Sequence, residues 1–529
     1  MTRTLFHNAR FFVDEEGTWA DAVVVDDDRF VFVGTESDAP RTDASVDLAG
    51  RTVLPGFIDA HTHLLMLGDA LGQVGLTDAH SVQEIQERLR VARQDGATAL
   101  RGRGWLFDAV PGGHPTAAMI DAAVADIPVY LDANDYHSCW VNTAALIELG
   151  ITDDTPDPIG GRIERDTDGA ATGMLYETAA QQYAWAHRDA TATDAQRDAG
   201  VDRVVAAYLA AGVTGAVDMA FDELGLAALE RAAHRGALPL RVSAHWFVGN
   251  TGDDEANLAQ VETAIARATA ETTGVGVIGI KLVLDGTIDA CTAAMKAPYA
   301  DGSNAAPIWP AERLLPVVAA ADAAGLQIAM HAIGDDASAL ALDAIEHAIA
   351  VNGDIPRRHR IEHLEYAAPG TAERMARLGV TASMQPVHAD PAIFANWAAQ
   401  LGDDRADRGF AWPEYEEAGA LLAFSTDAPT APLDALANMY VATTRASALD
   451  PSVPAVHPQF ALPLARSIAH ATRDAAASIG EEEQRGRIAP GYAADFVVLD
   501  RDPFVSGPES LLATGVVRTV IAGRTVFAA

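Results

Sequence analysis

Lysine is almost missing from this 529-residue sequence, in which Lys281 and Lys296 are the only lysines among 37 basic residues. Acidic residues number 74, which gives a formal net charge of −37 at pH 7. A surface of that sign repels nucleic acids and anionic membranes, so neither is expected as a partner. Acidic residues spread along a lysine-poor chain are typical of a salt-rich cytoplasm, where concentrated ions screen self-repulsion. The composition therefore predicts a halophilic protein.

Cysteine and long apolar runs are scarce as well. Cys139 and Cys291 are the only cysteines, which is too few for a disulfide framework and fits a reducing compartment. No apolar run is long enough to span a membrane, and charges interrupt residues 1–17 before a signal-peptide core can form. These absences predict a cytoplasmic protein.

The middle of the chain alternates apolar strands with alanine-rich helical segments, a pattern typical of βα units in the α/β class. The helical segments include 311–324, 335–350 and 371–378. Eight candidate strands are present: 52–60, 212–219, 240–247, 277–285, 327–333, 360–365, 380–386 and 421–427. Eight such units favour a closed, TIM-like (β/α)8 barrel, whose chemistry lies at the C-terminal ends of the strands. A doubly wound open sheet is the alternative.

The two ends of the chain differ from the middle, since they contain short strands separated by turns rich in glycine and acidic residues. We therefore expect residues 1–54 and 485–529 to form one composite β-sandwich, and residues 55–484 to form the barrel. About 150 residues separate the first barrel strand from the second, far more than a βα loop needs. This stretch, 64–211, is predicted to be an inserted subdomain that overhangs the active face.

Polar residues with metal-ligand chemistry end several of the predicted barrel strands. The first strand ends in "LPGFIDAHTHL", where alternation places His61 and His63 on the same side. Three later strands end with His331 in "IAMHAIGD", His363 in "RIEHLEY" and Asp427 in "LAFSTDAP". Each residue alone is explained as a hydrogen-bonded strand end. Five at one barrel face supply the nitrogen and oxygen ligands that zinc or a similar divalent ion prefers.

Lys281 lies in "GIKLVLDG", inside an apolar run that predicts a buried strand. Burial and nearby cations favour the neutral amine, which can add carbon dioxide to form a carbamate that bridges two metal ions. Arginine cannot do this, because its guanidinium is never appreciably neutral. The alternative is a structural lysine that extends to the strand edge. Lys296, in a predicted loop, is assigned no role.

Five further residues are candidates for substrate binding. Trp105 and His137 lie in the predicted insert, where packing is the alternative explanation. Gln385 and His388 lie at the mouth of the seventh strand, where polar groups can orient a carbonyl. Asp285 ends the fourth strand in "LVLDG", which is also an ordinary Asp-Gly turn.

A family resemblance rests on several of these stretches together. "PGFIDAHTHL", "HAIGD", "RIEH", "SMQPVHAD", "FSTDAP" and the terminal "GRIAPGYAADFVVLDRDP" resemble the amidohydrolase superfamily. The similarity is greatest to its YtcJ-like branch, which includes N-substituted formamide deformylases, and "HSCWVNTAAL" and "GGRIERDTDGAATGMLYE" in the insert resemble that branch. The resemblance implies a TIM-like barrel with a composite β-sandwich, a divalent metal site and hydrolysis of a C–N bond.

The resemblance also implies roles for individual residues. His61 and His63 would hold the more buried metal ion, His331 and His363 the more exposed one, and a carboxylated Lys281 would lie between them. Asp427 would be a metal ligand and the general base. It would take a proton from the metal-bound water, which becomes the hydroxide nucleophile, and would return that proton to the leaving nitrogen. One departure is the threonine in "STDAP", where many relatives have a Ser-Asp pair before this aspartate.

Several alternatives stay open at this point. The site would hold one or two divalent ions, with Zn²⁺ favoured and Mn²⁺, Co²⁺ and Fe²⁺ also suited to the ligands. The expected substrate is a small molecule with an amide-type bond, such as an N-substituted formamide or N-acyl compound, and the family suggests a homodimer. The alternatives are a mononuclear aminohydrolase or cyclic amidine hydrolase on the same fold, and a non-catalytic scaffold.

Overall fold

A computed structural model of the protein describes residues 3–93, 98–134 and 136–529. The chain divides into two compact units. The barrel unit comprises Met1–Leu64, Val204–Ala428 and Pro432–Ala529, and the insert unit comprises Leu65–Arg203 and Pro429–Ala431. The domain boundaries given above stay predictions.

The described part of the chain contains strands and helices with the following bounds. The strands are β1 (Thr4–Phe12), β2 (Trp19–Ala20), β3 (Ala22–Asp26), β4 (Arg29–Gly34), β5 (Ala44–Pro55), β6 (Phe57–Thr62), β7 (Val74–Gly75), β8 (Leu100–Trp105), β9 (Val129–Ala133), β10 (Ser138–Val141), β11 (Gly161–Arg165), β12 (Ala171–Glu177), β13 (Val213–Phe221), β14 (Arg241–Phe247), β15 (Val275–Val283), β16 (Gln327–Ala332), β17 (Arg360–His363), β18 (Thr381–Met384), β19 (Leu422–Phe424), β20 (Phe496–Leu499), β21 (Val516–Ile521) and β22 (Arg524–Ala528). The α-helices are α1 (Leu64–Ala70), α2 (Val82–Ala92), α3 (Ala117–Asp121), α4 (Thr143–Glu148), α5 (Ala186–Thr191), α6 (Asp194–Ala210), α7 (Glu223–His234), α8 (Asp254–Thr269), α9 (Ala311–Ala323), α10 (Asp335–Asn352), α11 (Thr371–Leu378), α12 (Pro391–Leu401), α13 (Trp412–Ala418), α14 (Ala435–Thr444), α15 (Leu464–His470), α16 (Arg473–Ala477) and α17 (Pro503–Ser506).

Eight parallel strands form the barrel. Their order is β6, β13, β14, β15, β16, β17, β18 and β19, which is also their order along the chain. Past the end of β19, Asp427 N donates to His61 O at 2.8 Å, and His63 N donates to Ala428 O at 3.0 Å. These two hydrogen bonds connect the last βα unit to the first strand. The predicted TIM-like (β/α)8 barrel is confirmed.

A second sheet of the barrel unit contains strands from both ends of the chain. Strand β5 pairs in parallel with β1 and antiparallel with β20, so it joins the N-terminal strands to the C-terminal ones. Phe6, Phe11, Phe30 and Phe496 pack together in the core of this sheet.

The predicted first barrel strand, 52–60, differs from the structure, which divides it between two sheets. Strand β5 ends at Pro55 in the terminal sheet, and β6 begins at Phe57 in the barrel. Between them, a Cβ at Gly56 would overlap the side chain of Thr214, so only glycine fits this junction. The change of sheet falls at the Pro55–Gly56 pair within the predicted strand.

The insert unit has its own six-stranded sheet. Its order is β11, β12, β10, β9, β8 and β7, antiparallel from β11 to β9 and parallel from β9 to β7. Trp105 and Trp140 pack at its core with ring centroids 5.3 Å apart. This unit can therefore bury an apolar core of its own.

Helix ends follow local sequence signals. The side chains of Asp222, Asp253 and Asp390 accept backbone N–H groups at the first turns of α7, α8 and α12. Gly379 and Gly402 end α11 and α12 in the left-handed conformation that glycine adopts without strain. No helix in the described ranges is long and apolar enough to cross a membrane.

Gly279, two residues before Lys281 on β15, is expected to be essential for strand packing. A Cβ at this position would overlap the backbone carbonyl of Gln327 on β16. Gly279→Ala should therefore lower the free energy of unfolding by about 1–3 kcal/mol. Gly276→Ala on the same strand is the matched control, because a Cβ there meets no atom within 4 Å. Urea unfolding of both variants checks this, and equal stabilities would contradict the overlap.

Candidate metal centre

Two histidine side chains converge on one carboxylate at the end of β6. His61 Nε2 lies 3.2 Å and His63 Nε2 lies 3.0 Å from Oδ1 of Asp427. The other ring nitrogens are held by acceptors, since His61 Nδ1 lies 2.7 Å from Glu362 Oε2 and His63 Nδ1 lies 2.6 Å from Met219 O. A ring nitrogen that donates to these oxygens carries the proton. In the neutral imidazole, each Nε2 therefore presents a lone pair toward Asp427.

Asp427 is a buried carboxylate whose charge is stabilised by these histidines. Burial alone favours the protonated acid, but the positive charge that His61 carries when it is protonated, together with hydrogen bonds from His61 and His63, holds the pKa of Asp427 well below its usual range. Its backbone is left-handed, with a φ of 58°. Such a conformation costs a non-glycine residue about 1–3 kcal/mol and persists only where the surroundings fix it. The structure thus maintains local strain to present this carboxylate.

The donor set fits a divalent metal ion. If both imidazoles are neutral with the proton on Nδ1, their Nε2 lone pairs and the carboxylate oxygen at 3.0–3.2 Å repel one another unless a proton or a metal ion lies among them. Two nitrogens and one oxygen are also the ligand types that zinc and related ions prefer. His61, His63 and Asp427 therefore fit a metal ion by the chemistry of their facing atoms.

A second group of candidate ligands shares Asp427. Ligand atoms of His363, His388 and Asp427 lie within 4.8 Å of one another. His363 Nδ1 lies 2.9 Å from Gln385 Oε1, while the amide nitrogen of Gln385 donates to Ser425 Oγ. Gln385, predicted to bind substrate, thus has both ends of its amide engaged and orients His363. His388, also predicted for substrate, lies among the candidate ligands, with Nε2 3.7 Å from Asp427 Oδ2.

His331 lies beside this second group but outside it. Its ring centroid is 4.3 Å from that of His363, and its Nε2 is 3.3 Å from Gly286 O and 3.5 Å from Asp285 Oδ1. Asp285 is fully buried, and its carboxylate accepts the backbone N–H of Gly334 at 2.8 Å. Asp285 therefore fixes the backbone that follows His331. The ligand role of His331 stays a prediction.

Lys281 is buried on β15 as the sequence predicts. Its Nζ has no hydrogen-bond partner in the described residues, and only 2% of the residue is exposed. Burial lowers the pKa of Lys281 to about 8, although the charges of Glu362 and Asp427 oppose this shift. An unpaired buried ammonium is costly, so a group with a pKa this low has access to its neutral form near neutral pH.

A buried ion pair below His61 was not predicted from the sequence. Glu362 accepts from His61, and its carboxylate contacts the Arg360 guanidinium at 2.5 and 3.0 Å. Arg360 also donates to Ala60 O at 2.7 Å and to Ser383 Oγ at 2.6 Å. Arg360 and Glu362 are both buried, and each provides the countercharge of the other. The available signal was a pair of opposite charges two residues apart in "RIEH", a strand otherwise predicted to be buried.

The unexpected threonine before Asp427 also has a structural role. The backbone N–H and hydroxyl of Thr426 donate to Asp59 at 2.9 and 2.5 Å. Tyr208 donates to the same carboxylate at 2.9 Å. Asp59 lies on β6 beside His61, so this network fixes the turn that carries Asp427 to the strand that carries the histidines.

Trp105 and His137 both lie in the insert unit. Trp105 is completely shielded from solvent, and its Nε1 donates to Leu131 O at 3.0 Å. It packs in the core of the insert unit, and its substrate role stays a prediction. His137 Nδ1 lies 2.7 Å from Glu177 Oε2. The substrate role of His137 stays a prediction.

Comparisons with known proteins identify similar sequences over nearly the whole chain. The model of the amidohydrolase family matches residues 44–527. The "Putative amidohydrolase YtcJ" of Bacillus subtilis is 31% identical over 547 residues, which cover 97% of each chain. The N-substituted formamide deformylase of Arthrobacter pascens is 28% identical over 542 residues, covering 97% of this chain and 95% of the deformylase.

A solved structure is similar in fold as well as in sequence. An uncharacterized metal-dependent hydrolase from Pyrococcus horikoshii is 25% identical with a TM-score of 0.75, over 96% of this chain and 99% of its own. A second such hydrolase, from Pyrococcus furiosus, has a TM-score of 0.74 at the same identity.

Glu362 is expected to position His61 for metal binding. Glu362→Gln removes the anionic acceptor of His61 Nδ1 and leaves Arg360 without its countercharge, so metal affinity should fall about 10–100-fold. Metal analysis after titration with a chelator measures this. Glu373→Gln on the exposed face of α11 is the matched control. Wild-type metal retention in a folded Glu362→Gln protein would show that His61 is oriented by other contacts.

Proposed function

The chain belongs to the amidohydrolase family and is a hydrolase that acts on carbon–nitrogen bonds; we propose that it cleaves the amide-type bond of an N-substituted formamide or another N-acyl compound. The observation that carries the proposal is the convergence of two histidine nitrogens on the ionised carboxylate of Asp427. The substrate class is supported by the N-substituted formamide deformylase, to which the chain is similar over 97% of its length.

In this proposal, divalent metal ions bind among the residues of the barrel mouth. His61, His63 and Asp427 would hold the first ion, and the histidines of β16, β17 and the turn after β18 would be the candidate ligands of a second. A bound ion supplies a Lewis acid that polarises a carbonyl and lowers the pKa of water toward neutrality. Zinc is the favoured ion for these ligands, and manganese, cobalt and iron also suit them.

Asp427 acts as the proton carrier. Its pKa is held well below its usual range, so the carboxylate carries no proton at neutral pH before the reaction begins. In the first step it takes the proton of the attacking water, and in the second it donates that proton to the leaving nitrogen. The strained backbone fixes the carboxylate in place, which reduces the reorganisation needed at each transfer.

Lys281 supplies a bridging anion in this proposal. Its unpartnered Nζ and lowered pKa make the neutral amine accessible near neutral pH, and this amine adds carbon dioxide with loss of one proton to give a carbamate. The product is an anion where the unmodified side chain is a cation, so it would complete the ligand set between two metal ions. Its formation also removes the cost of a buried, unpaired ammonium.

The cytoplasmic location and the homodimer are not required by this proposal and stay predictions from the sequence. Because the composition predicts a halophilic protein, activity should be assayed in high salt.

Hydrolysis should be detected with N-substituted formamides or N-acyl amines and should depend on Asp427. Metal-loaded Asp427→Asn is expected to lose about 10²–10⁴-fold in kcat, because it cannot accept the proton. Amine release in high salt measures turnover, circular dichroism confirms folding, and exposed Asp354→Asn is the matched control. Wild-type turnover by Asp427→Asn would place the base elsewhere. Ammonia release from cyclic amidines, with no amide cleavage, would favour the aminohydrolase alternative.

The carbamate is tested with the only other lysine as control. Lys281→Arg should lose at least one equivalent of bound metal, whereas exposed Lys296→Arg should retain the wild-type amount. After incubation with ¹³C-bicarbonate, a carbamate resonance is expected in wild type and Lys296→Arg and not in Lys281→Arg. Unchanged metal content together with no carbamate signal in wild type would refute the modification.

A further inference from the structure

Arg445 is a fully buried arginine whose contacts described here include none of the proposed metal ligands. It ends α14 in the left-handed conformation, with a φ of 56°, and its backbone carbonyl accepts from Val456 N at 3.1 Å. Its Nε donates to Val456 O at 2.9 Å. The guanidinium lies over the ring of Trp412, 4.4 Å from its centroid. The side chain is thus held by a hydrogen bond at Nε and by the Trp412 ring on one face of the guanidinium.

The two terminal nitrogens of Arg445 have no acceptor. Nη1 and Nη2 are both buried and make no hydrogen bond within the described residues, and no carboxylate of that part lies within 4.0 Å. Arg360 is also completely shielded from solvent, but its guanidinium has a direct carboxylate partner in Glu362. The contrast shows that this fold pairs one buried guanidinium and leaves the other without a countercharge.

An uncompensated guanidinium in this position is unstable. Burial lowers the pKa of Arg445 to about 9, which still leaves the group charged at neutral pH. Arginine therefore cannot escape the cost of burial by losing its proton, as a lysine can. The stacked indole offsets part of that cost but supplies no acceptor for the free N–H groups. An anion at Nη1 and Nη2 would supply both the charge and the acceptor.

His457 is a second polar group with an unused atom in the same segment. It follows Val456 directly, and its Nδ1 has no partner among the described residues. Its ring lies against Phe394 and Phe460, with centroid distances of 5.2 and 5.6 Å. Burial and then the charge of Arg445 lower the pKa of His457, while the charge of Asp407 and a backbone hydrogen bond to Gly409 oppose this shift.

We propose that the terminal nitrogens of Arg445 form a binding site for a small monovalent anion of the size of chloride. The ion accepts from Nη1 and Nη2 of Arg445, beside the indole of Trp412. A weakly hydrated halide suits such surroundings, because it gives up its water at low cost. The guanidinium is shielded from solvent, which excludes bulky organic anions from this position.

Bromide anomalous scattering tests the site directly in the holoenzyme. Crystals of the metal-loaded protein grown in sodium bromide should show an anomalous peak in contact with Arg445 Nη1 and Nη2. The same peak should be missing in Arg445→Met, which keeps much of the side-chain length and removes the charge. Ordered water at these nitrogens in the bromide crystals, or bromide bound only elsewhere, would overturn the proposal.

Thermal unfolding tests the site in solution. Chloride should raise the Tm of the metal-loaded wild type by about 2–5 °C when it replaces gluconate at constant ionic strength, because it binds the native state. Arg445→Met should lose this dependence, and exposed Arg41→Met should keep it as the matched control. An equal chloride effect in all three proteins would mean that general ion effects, and no site at Arg445, stabilise the fold. Should Arg445→Met not fold, the wild-type bromide experiment decides the question.

Discussion

His61 and His63 each place a ring nitrogen 3.0–3.2 Å from one carboxylate oxygen of Asp427, a contact that requires a shared proton or a metal ion. His61 and His63 belong to the first barrel strand, and Asp427 follows the last. Closing the barrel therefore brings these atoms together, and two backbone hydrogen bonds hold the same junction. Barrel closure and the creation of a cation site are one event, so an ion bound here would stabilise the fold as well as provide chemistry.

The polar residues beneath this junction are paired with few exceptions. Glu362 lies between His61 and Arg360, and the carboxylate of Asp59 accepts hydrogen bonds from the hydroxyls of Thr426 and Tyr208. Removing one member of such a network leaves a buried charge or donor unsatisfied, which costs more than the pair contributes. Lys281 and Arg445 are different, because their terminal nitrogens have no partner in the described residues. Lysine can resolve this through the neutral amine, whereas arginine needs an anion.

Much of the fold followed from periodicity and from strand ends. Helices α9, α10 and α11 agree with the predicted segments to within two residues, and the histidines and aspartate taken as ligands do lie at barrel strand ends. The sequence could not show the paired charges of Arg360 and Glu362, since alternate charged residues on a strand also fit an exposed face. Nor could it place His388, whose position depends on the turn after β18. Nor could it show that Trp105 is buried in the core of the insert unit, because aromatic residues line both pockets and cores.

The single glycine between β5 and β6 has a consequence for biosynthesis. Strand β6, which carries His61, continues directly from β5, and β5 is paired on one side with the C-terminal strand β20. The first ligands to leave the ribosome are therefore supported by one of the last strands to be translated, and Asp427 also emerges late. A nascent chain has the histidines long before it has their partners. The cluster of His61, His63 and Asp427 can therefore form only after most of the chain has been synthesised.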